Sequence, residues 1–222
     1  MKSLIEYINE SNTIELVSDG KERGFEYVDL GLPSGTMWAT CNVGATKPED
    51  DGLLFQFGSV DGYKYGDKNH KFKTNAQNLE DGSSSEYIPI TSSGKTYKVN
   101  DILDLADDAA HVNMGGKWKM PTKAQYSEMF NNTTRKVETI NGVKGMLFTS
   151  KINNKQLFIP FVGYWYNGSF AAAGSDATVW SSQVRPFIVD RAYRLYCRSS
   201  GDACIDSYGR SRAFSARGVF KK

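Results

Sequence analysis

Short runs of alternating apolar and polar residues extend along most of the chain, a pattern typical of β-strands. The strand-like segments begin near Phe25, include the apolar runs 145–150 and 156–166, and continue as short pieces after Trp180. Residues that favour turns, mainly Gly and Ser, separate these segments. The pattern predicts an α+β protein of short antiparallel strands, with one or two helices and much irregular loop.

Helical features are found in three segments. Residues 1–10 form an amphipathic pattern that opens with a capping box at Ser3. Residues 101–111 have the apolar spacing of a short helix. A longer helix is predicted to begin after Thr122, whose side chain suits an N-cap, and to bury Tyr126 and its neighbours one turn further on.

The length of 222 residues suits one large domain with a short appendage. We expect residues 1–24 to form a helical appendage and residues 25–222 to form the domain, with a long polar surface loop at 64–85. Glu6 and Glu10 interrupt any apolar stretch at the N-terminus, so the sequence does not read as a signal peptide.

The composition argues against several classes of function. The net charge of +2 argues against a dedicated nucleic-acid-binding protein. No run approaches the roughly 18 apolar residues of a membrane span, so membrane insertion is not expected. The chain has three cysteines without a CxxC motif and only two histidines, so neither a disulfide framework nor a zinc site is expected.

Residues 184–220 use a restricted set of amino acids. These 37 positions contain no Lys, Glu, Gln, Met, Trp or Asn, although residues 1–183 contain 55 residues of those six types. Seven of the nine arginines lie in this window, whereas all 18 lysines lie outside it. Selection for positive charge would use both residue types, so the restriction indicates a cause at the level of codons.

Randomising the two adenines of the Asn codons AAT and AAC explains the restriction. The resulting codons end in a pyrimidine, so they never encode Lys, Glu, Gln, Met or Trp and never stop translation. Asn is regained only rarely, which fits its absence from a heavily mutated copy. This pattern is the imprint of the adenine mutagenesis of diversity-generating retroelements.

Five stretches between about residues 25 and 220 carry a resemblance to a known family. They are EYVDLGLPSGTMWATCNVGA, GGKWKMPT, FVGYWYNGSF, VWSS and FSARGVF. They resemble the variable proteins of diversity-generating retroelements, whose C-type-lectin-like fold is shared with formylglycine-generating enzymes. The resemblance implies a C-type-lectin-like domain with a variable region at about 181–212.

The resemblance also implies recognition rather than catalysis. The best-known members of the family sit at phage tail tips and bind receptors on the host surface, and others are displayed on bacterial cells. We therefore expect a receptor-binding protein of the virion tail tip that binds a host-surface protein or glycan. Its N-terminal helix would contact other tail proteins or sister subunits, and a homotrimer would add avidity. The alternatives are a fixed cell-surface adhesin, a structural lectin-like domain and, less favoured, an enzyme related to the formylglycine-generating enzymes.

Two sets of positions are predicted within the tract. The positions expected to be randomised and to contact ligand are Arg185, Phe187, Ile188, Asp190, Arg191, Arg194, Tyr196, Arg198, Asp202, Cys204, Asp206, Ser207 and Tyr208. The positions that match the family's frame, and are expected to pack in the scaffold, are Ala192, Leu195, Gly201, Phe214, Ser215, Arg217 and Val219. Randomised side chains should point outward, so that alanine at Arg194, Tyr196 or Arg198 should leave stability nearly unchanged. Seven Arg against three Asp should also make this face positive.

Other candidate chemistry is weak. Asp107, Asp108 and His111 have near-helical spacing and could ligate a metal, but a solvated helix end is the favoured interpretation. Cys197 and Cys204 invite comparison with the paired cysteines of the formylglycine-generating enzymes, but they lie inside the randomised tract. No catalytic motif, cofactor or metal site is therefore expected.

Overall fold

The computed structural model describes residues 16–73 and 91–222, and short strands are its main regular secondary structure. The described strands are β1 (Gly20–Glu22), β2 (Phe25–Asp29), β3 (Thr36–Asn42), β4 (Leu54–Gln56), β5 (Thr133–Ile140), β6 (Val143–Ser150), β7 (Gln156–Pro160), β8 (Tyr164–Tyr166), β9 (Ser169–Ala171), β10 (Asp176–Val184), β11 (Arg191–Arg198), β12 (Ala203–Gly209), β13 (Ala213–Ser215) and β14 (Arg217–Lys221). The described helices are α1 (Ala109–Met114), preceded by a 3-10 turn (Leu105–Asp107), and α2 (Lys123–Asn132).

The first sheet joins the two ends of the domain, with strand order β1-β2-β3-β14. β14 runs antiparallel to β3 and places Val219 opposite Trp38, and both side chains are fully buried. β1 pairs with β2, so the segment before residue 25 contributes a strand to this sheet. The helix predicted at residues 1–10 lies outside the described residues.

The second sheet has seven strands in the order β12-β11-β10-β13-β8-β9, with β4 also paired to β13. Its pairings are antiparallel except between β10 and β13, which run parallel. β11 and β12 form a hairpin at one edge, and this hairpin carries most of the arginine-rich tract. A third sheet of three antiparallel strands has the order β5-β6-β7.

The longer helix, α2, begins where local sequence signals predict and packs against the sheets. Thr122 is the N-cap of α2, and its hydroxyl accepts a hydrogen bond from the backbone N–H of Gln125, whose own side chain completes a capping box. Tyr126 and Met129 are fully buried on the inner side of α2. The segment 101–111, predicted as a short helix, is helical only in the 3-10 turn Leu105–Asp107 and in the first residues of α1, which continues to Met114.

The described chain is mostly strand, with two helices and several antiparallel sheets, so the α+β prediction is confirmed at that level. The loop predicted at 64–85 contains no helix or strand as far as residue 73, and its remainder lies outside the described residues.

Candidate ligand-binding surface

One side of the β11–β12 hairpin packs on the core along its length, and the other side is covered only near the open end, where Ala192 and Arg194 are buried. Leu195 and Cys197 of β11, together with Ala203 and Ile205 of β12, pack into a core cluster that includes α2. Successive side chains of a strand point to opposite sides, so the intervening residues of the hairpin face away from this cluster. The sequence alternation of the tract therefore gives the hairpin a scaffold side and a display side.

The display side carries a stack of alternating tyrosines and arginines, which we name the arginine–tyrosine ladder. In spatial order its members are Tyr166, Arg212, Tyr208, Arg194, Tyr196 and Arg198. The guanidinium carbon of each arginine lies 3.5–5.3 Å from the centroid of each adjoining ring. Stacking of planar guanidinium groups on aromatic rings is favourable and restricts both side chains.

Arg194 holds the centre of the ladder and is buried. Only 5% of the residue is exposed, and its guanidinium lies 4.2 Å from the ring centroids of both Tyr196 and Tyr208. Its Nε donates to Asp206 Oδ1 at 2.8 Å and its Nη2 to Oδ2 at 3.2 Å, which is a bidentate ion pair. The expectation that the Arg194 side chain is exposed is therefore wrong, and from its burial we expect Arg194 to contribute to stability.

Beyond the end of the hairpin lies an exposed segment that we name the apolar loop, residues 187–189. Phe187 is 96% exposed, and its φ of 65° is unusual for a bulky residue. The loop is closed by backbone hydrogen bonds from Arg185 N to Arg191 O at 2.9 Å and from Arg191 N to Ile188 O at 3.3 Å. Arg191 also reaches the ladder, with its guanidinium 6.0 Å from the Tyr208 ring.

Ten of the thirteen predicted ligand-contacting residues are exposed or half-buried. Arg185 lies just before the apolar loop, and the other nine lie on the hairpin or on the apolar loop. The exceptions are Asp190, Arg194 and Ser207, with 5–9% exposure. Ser207 lies on the scaffold side of β12, where its hydroxyl accepts a hydrogen bond from Arg185 Nη1 at 3.0 Å. The strand position, which sequence composition does not reveal, explains its burial.

The predicted scaffold positions are buried except for one. The buried positions are Ala192, Leu195, Phe214, Ser215, Arg217 and Val219. Gly201 is exposed instead, in the turn between β11 and β12, where its φ of 96° suits glycine.

The mildly positive face expected from the tract's charge is weaker than the residue count indicates, because several arginines are internal. Arg217 is fully buried and donates to Asn42 Oδ1 and to the backbone carbonyls of Ala39 and Thr40. Arg210 is 1% exposed and donates to the Val189 carbonyl. Burial lowers the pKa of each of these two guanidinium groups to about 10. With Arg194 paired to an aspartate, the charged display side is less positive than the sequence count indicates.

Asp107 and Asp108, the carboxylates considered for metal binding, accept hydrogen bonds within the fold. Asp107 is buried and accepts hydrogen bonds from Ser93 N and Oγ and from the Tyr97 hydroxyl. Asp108 caps α1 by accepting from the backbone N–H groups of His111 and Met120. Both are buried, which corrects the expectation of a solvated helix end. Within residues 16–73 and 91–222, no three His, Cys, Asp or Glu side chains are grouped to hold a metal.

The two tract cysteines lie on opposite sides of the hairpin. Cys197 is buried opposite Ala203, whereas Cys204 is exposed opposite Tyr196. Burial raises the pKa of both thiols, and further charge from Asp206 acts in the same direction on Cys204. These two sulfurs, like Cys41, are free thiols.

Two members of the ladder are absent from the predicted set. Arg212 lies in the restricted window and could have been included on the same grounds as the other arginines. Tyr166 lies outside the window, in the run FVGYWYNGSF, and only the pairing of β8 with β13 brings it near the tract. No sequence signal identifies it.

No family model matches the chain, and neither a curated protein nor a solved structure matches it. None of the helices in the described ranges is long and apolar enough to cross a membrane. The fold and the surface define a mostly-strand α+β protein with an arginine- and tyrosine-rich display side.

Proposed function

We propose that this chain is a ligand-binding protein whose C-terminal tract is diversified by a retroelement, on a domain of the C-type-lectin-like fold. Its most specific role would be recognition of a host-surface receptor at a phage tail tip, without catalysis. The observation that carries the proposal is the complete absence of six residue types from residues 184–220. Folding favours arginine over lysine at the buried positions Arg194, Arg210 and Arg217, but it does not exclude Lys from the exposed positions of the same window.

The placement of the tract supports a diversified surface. The β11–β12 hairpin is held by backbone hydrogen bonds along the whole register from Arg191–Gly209 to Cys197–Ala203, and these bonds do not depend on side-chain identity. The buried frame residues lie on neighbouring positions of the same segment. A substitution at an exposed position therefore changes the display side while the scaffold persists.

The chemistry of the display side suits recognition. Tyrosine supplies a large amphipathic surface with little conformational entropy to lose, and arginine both stacks and forms forked hydrogen bonds. The ladder holds these groups before any ligand binds, which reduces the entropic cost of binding. A host-surface protein or glycan is the expected partner, and assembly with tail proteins or as a homotrimer would supply avidity.

The cysteine geometry favours binding over an enzyme with a cysteine pair. Cys197 and Cys204 point to opposite sides of the hairpin, so the two thiols cannot act together on one substrate held at the display side. Thiol nucleophiles act as thiolates, and the raised pKa of both groups disfavours that form.

Deep sequencing of the 3′ end of the gene and its flanks, across a population that carries it, tests the proposal. The expected result is variation confined to codons derivable from adenine mutation at positions such as Tyr196, Arg198 and Tyr208, beside an unmutated near-copy of the same segment. An invariant tract without such a repeat would contradict the proposal and would favour a fixed adhesin or structural domain.

A further inference from the structure

The apolar loop is an exposed hydrophobic surface that the fold does not use. Phe187 is 96% exposed, and the neighbouring Ile188 and Val189 are 36% and 37% exposed. Single exposed apolar residues are common on protein surfaces, but consecutive ones at the tip of a loop are typical of an interaction site. A solvent-exposed phenyl ring contributes nothing to the stability of the folded chain, so its exposure needs another explanation.

The backbone of the apolar loop is fixed. Arg185 N and Arg191 N donate to backbone carbonyls across the loop, and Arg210 N donates to Asp190 O at 2.8 Å. Arg210 Nη1 donates to the carbonyl of Val189 at 3.1 Å, which ties the apolar residues to a buried guanidinium. Pro186 restricts the entry to the loop further. Phe187 is therefore presented on a rigid support, and a partner would pay little entropy to order it.

Positive charge borders the apolar loop. Arg185 and Arg191 flank it in sequence and are both half-buried, whereas Asp190, the acidic residue of the loop, is 7% exposed. Arg191 also connects the loop to the ladder through Tyr208. The surface that a partner meets is thus a convex apolar tip with a basic border.

We propose that the apolar loop anchors a protein partner by inserting Phe187 into an apolar pocket with an acidic rim. The inference rests on the proposed function and names the class of ligand for this copy of the tract. A glycan is held mainly through hydrogen bonds together with stacking on flat rings. Phe187 has a ring on which a sugar can stack, but none of Phe187, Ile188 and Val189 has a hydrogen-bonding side chain, and the branched side chains of Ile188 and Val189 have no flat surface. Concave apolar pockets that accept an aromatic anchor are a common feature of protein surfaces.

Binding of the fluorescently labelled full chain to bacterial isolates from the community that carries the gene tests this inference. Cells are treated with a broad protease or with periodate, which oxidises glycans. We expect protease treatment to remove binding and periodate to leave it intact. Phe187→Ser should weaken cell binding at least tenfold, while Ile152→Ser, at an apolar residue that is 53% exposed elsewhere on the surface, should bind like the wild type. Arg191→Glu should also weaken binding, because the introduced carboxylate would be repelled by the acidic rim of the partner's pocket.

The outcomes separate this inference from the proposed function. Two results would contradict the inference that Phe187 anchors a protein partner: binding that resists protease but is lost with periodate, and binding that is unchanged in Phe187→Ser. In both cases the proposed receptor-binding function would still stand. If the wild type binds none of the isolates, both the proposed function and the inference fail. Because Phe187 makes almost no contact with the fold, its variant should melt at the wild-type temperature, and a thermal scan verifies this.

Discussion

Replacing Arg194 by alanine should destabilise the domain, although the position belongs to the tract that we propose to be diversified. The guanidinium makes two charge-assisted hydrogen bonds to Asp206 and stacks on Tyr196 and Tyr208. Hydrogen bonds to charged groups contribute about 1.5–3 kcal/mol, and each cation–π contact adds about 0.5–1 kcal/mol. Removal of one partner of a fully buried ion pair costs about 3–5 kcal/mol.

The expected cost of Arg194→Ala is smaller than for a fully buried ion pair, because water can hydrate Asp206, the partner that remains. The side chain of Asp206 is 40% exposed, so its carboxylate regains hydration when Arg194 is lost. We therefore expect Arg194→Ala to lower the free energy of unfolding by about 2–3 kcal/mol. For a domain of this size the melting temperature should fall by about 4–12 °C.

Calorimetry or thermal circular dichroism measures this shift, and Arg198→Ala provides the matched control. Arg198 lies four residues further along β11 on the same side of the strand but is exposed, so its removal should leave the melting temperature at the wild-type value. A double-mutant cycle with Asp206→Ala isolates the coupling between the two side chains. Equal melting temperatures for Arg194→Ala and Arg198→Ala would refute the assignment of Arg194 as a structural residue.

Three further predictions concern the scaffold. Trp180→Ala should cost about 3–5 kcal/mol in a urea denaturation, because the ring is fully buried; a cost near zero would contradict its place in the core. Burial raises the pKa of Asp107, but hydrogen bonds, chiefly from Ser93, lower it overall below the usual 3.8. The ionised carboxylate therefore stabilises the fold above that pH. At neutral pH the wild type should be more stable than Asp107→Asn, and this difference should disappear as the pH falls through the lowered pKa. A difference in stability that does not change with pH would contradict the prediction. In the folded protein a maleimide should label Cys204 well before Cys197, as peptide mapping would show, and equal labelling would contradict the two-sided hairpin.

The elements that depend on local signals could be predicted from the sequence. The start of α2 follows from Thr122 and the capping box it forms with Gln125, both set within one helical turn. The strand character of the tract follows from its alternation, and the frame residues predicted to pack are buried with the exception of Gly201. These features are encoded by neighbours in the chain, so one sequence is sufficient to find them.

Which arginines are buried and which are exposed could not be predicted in this way. Arg217 is buried because Asn42 and the carbonyls of Ala39 and Thr40 lie around it, and those partners are about 175 residues away in the chain. Tyr166 joins the ladder only because β8 and β10 pair with the same short strand. Long-range pairings of this kind leave no periodic trace in the sequence, so an arginine-rich segment was expected to be a solvated, positive surface.

The burial of Arg194 constrains how a tract can vary and still fold. A random replacement at this position removes an ion pair and three ring contacts, whereas a replacement at the exposed Arg198 or Phe187 removes little from the fold. The stability cost of a copy therefore depends on a few positions near the middle of the hairpin, and its exposed ends are free to vary. Because a domain of ordinary stability has only about 5–15 kcal/mol in total, one replacement of the Arg194 kind is tolerated and several together are not. The display side of such a protein is thus expected to diversify most at the apolar loop and at the turn between β11 and β12, where a ligand can be recognised without loss of the scaffold.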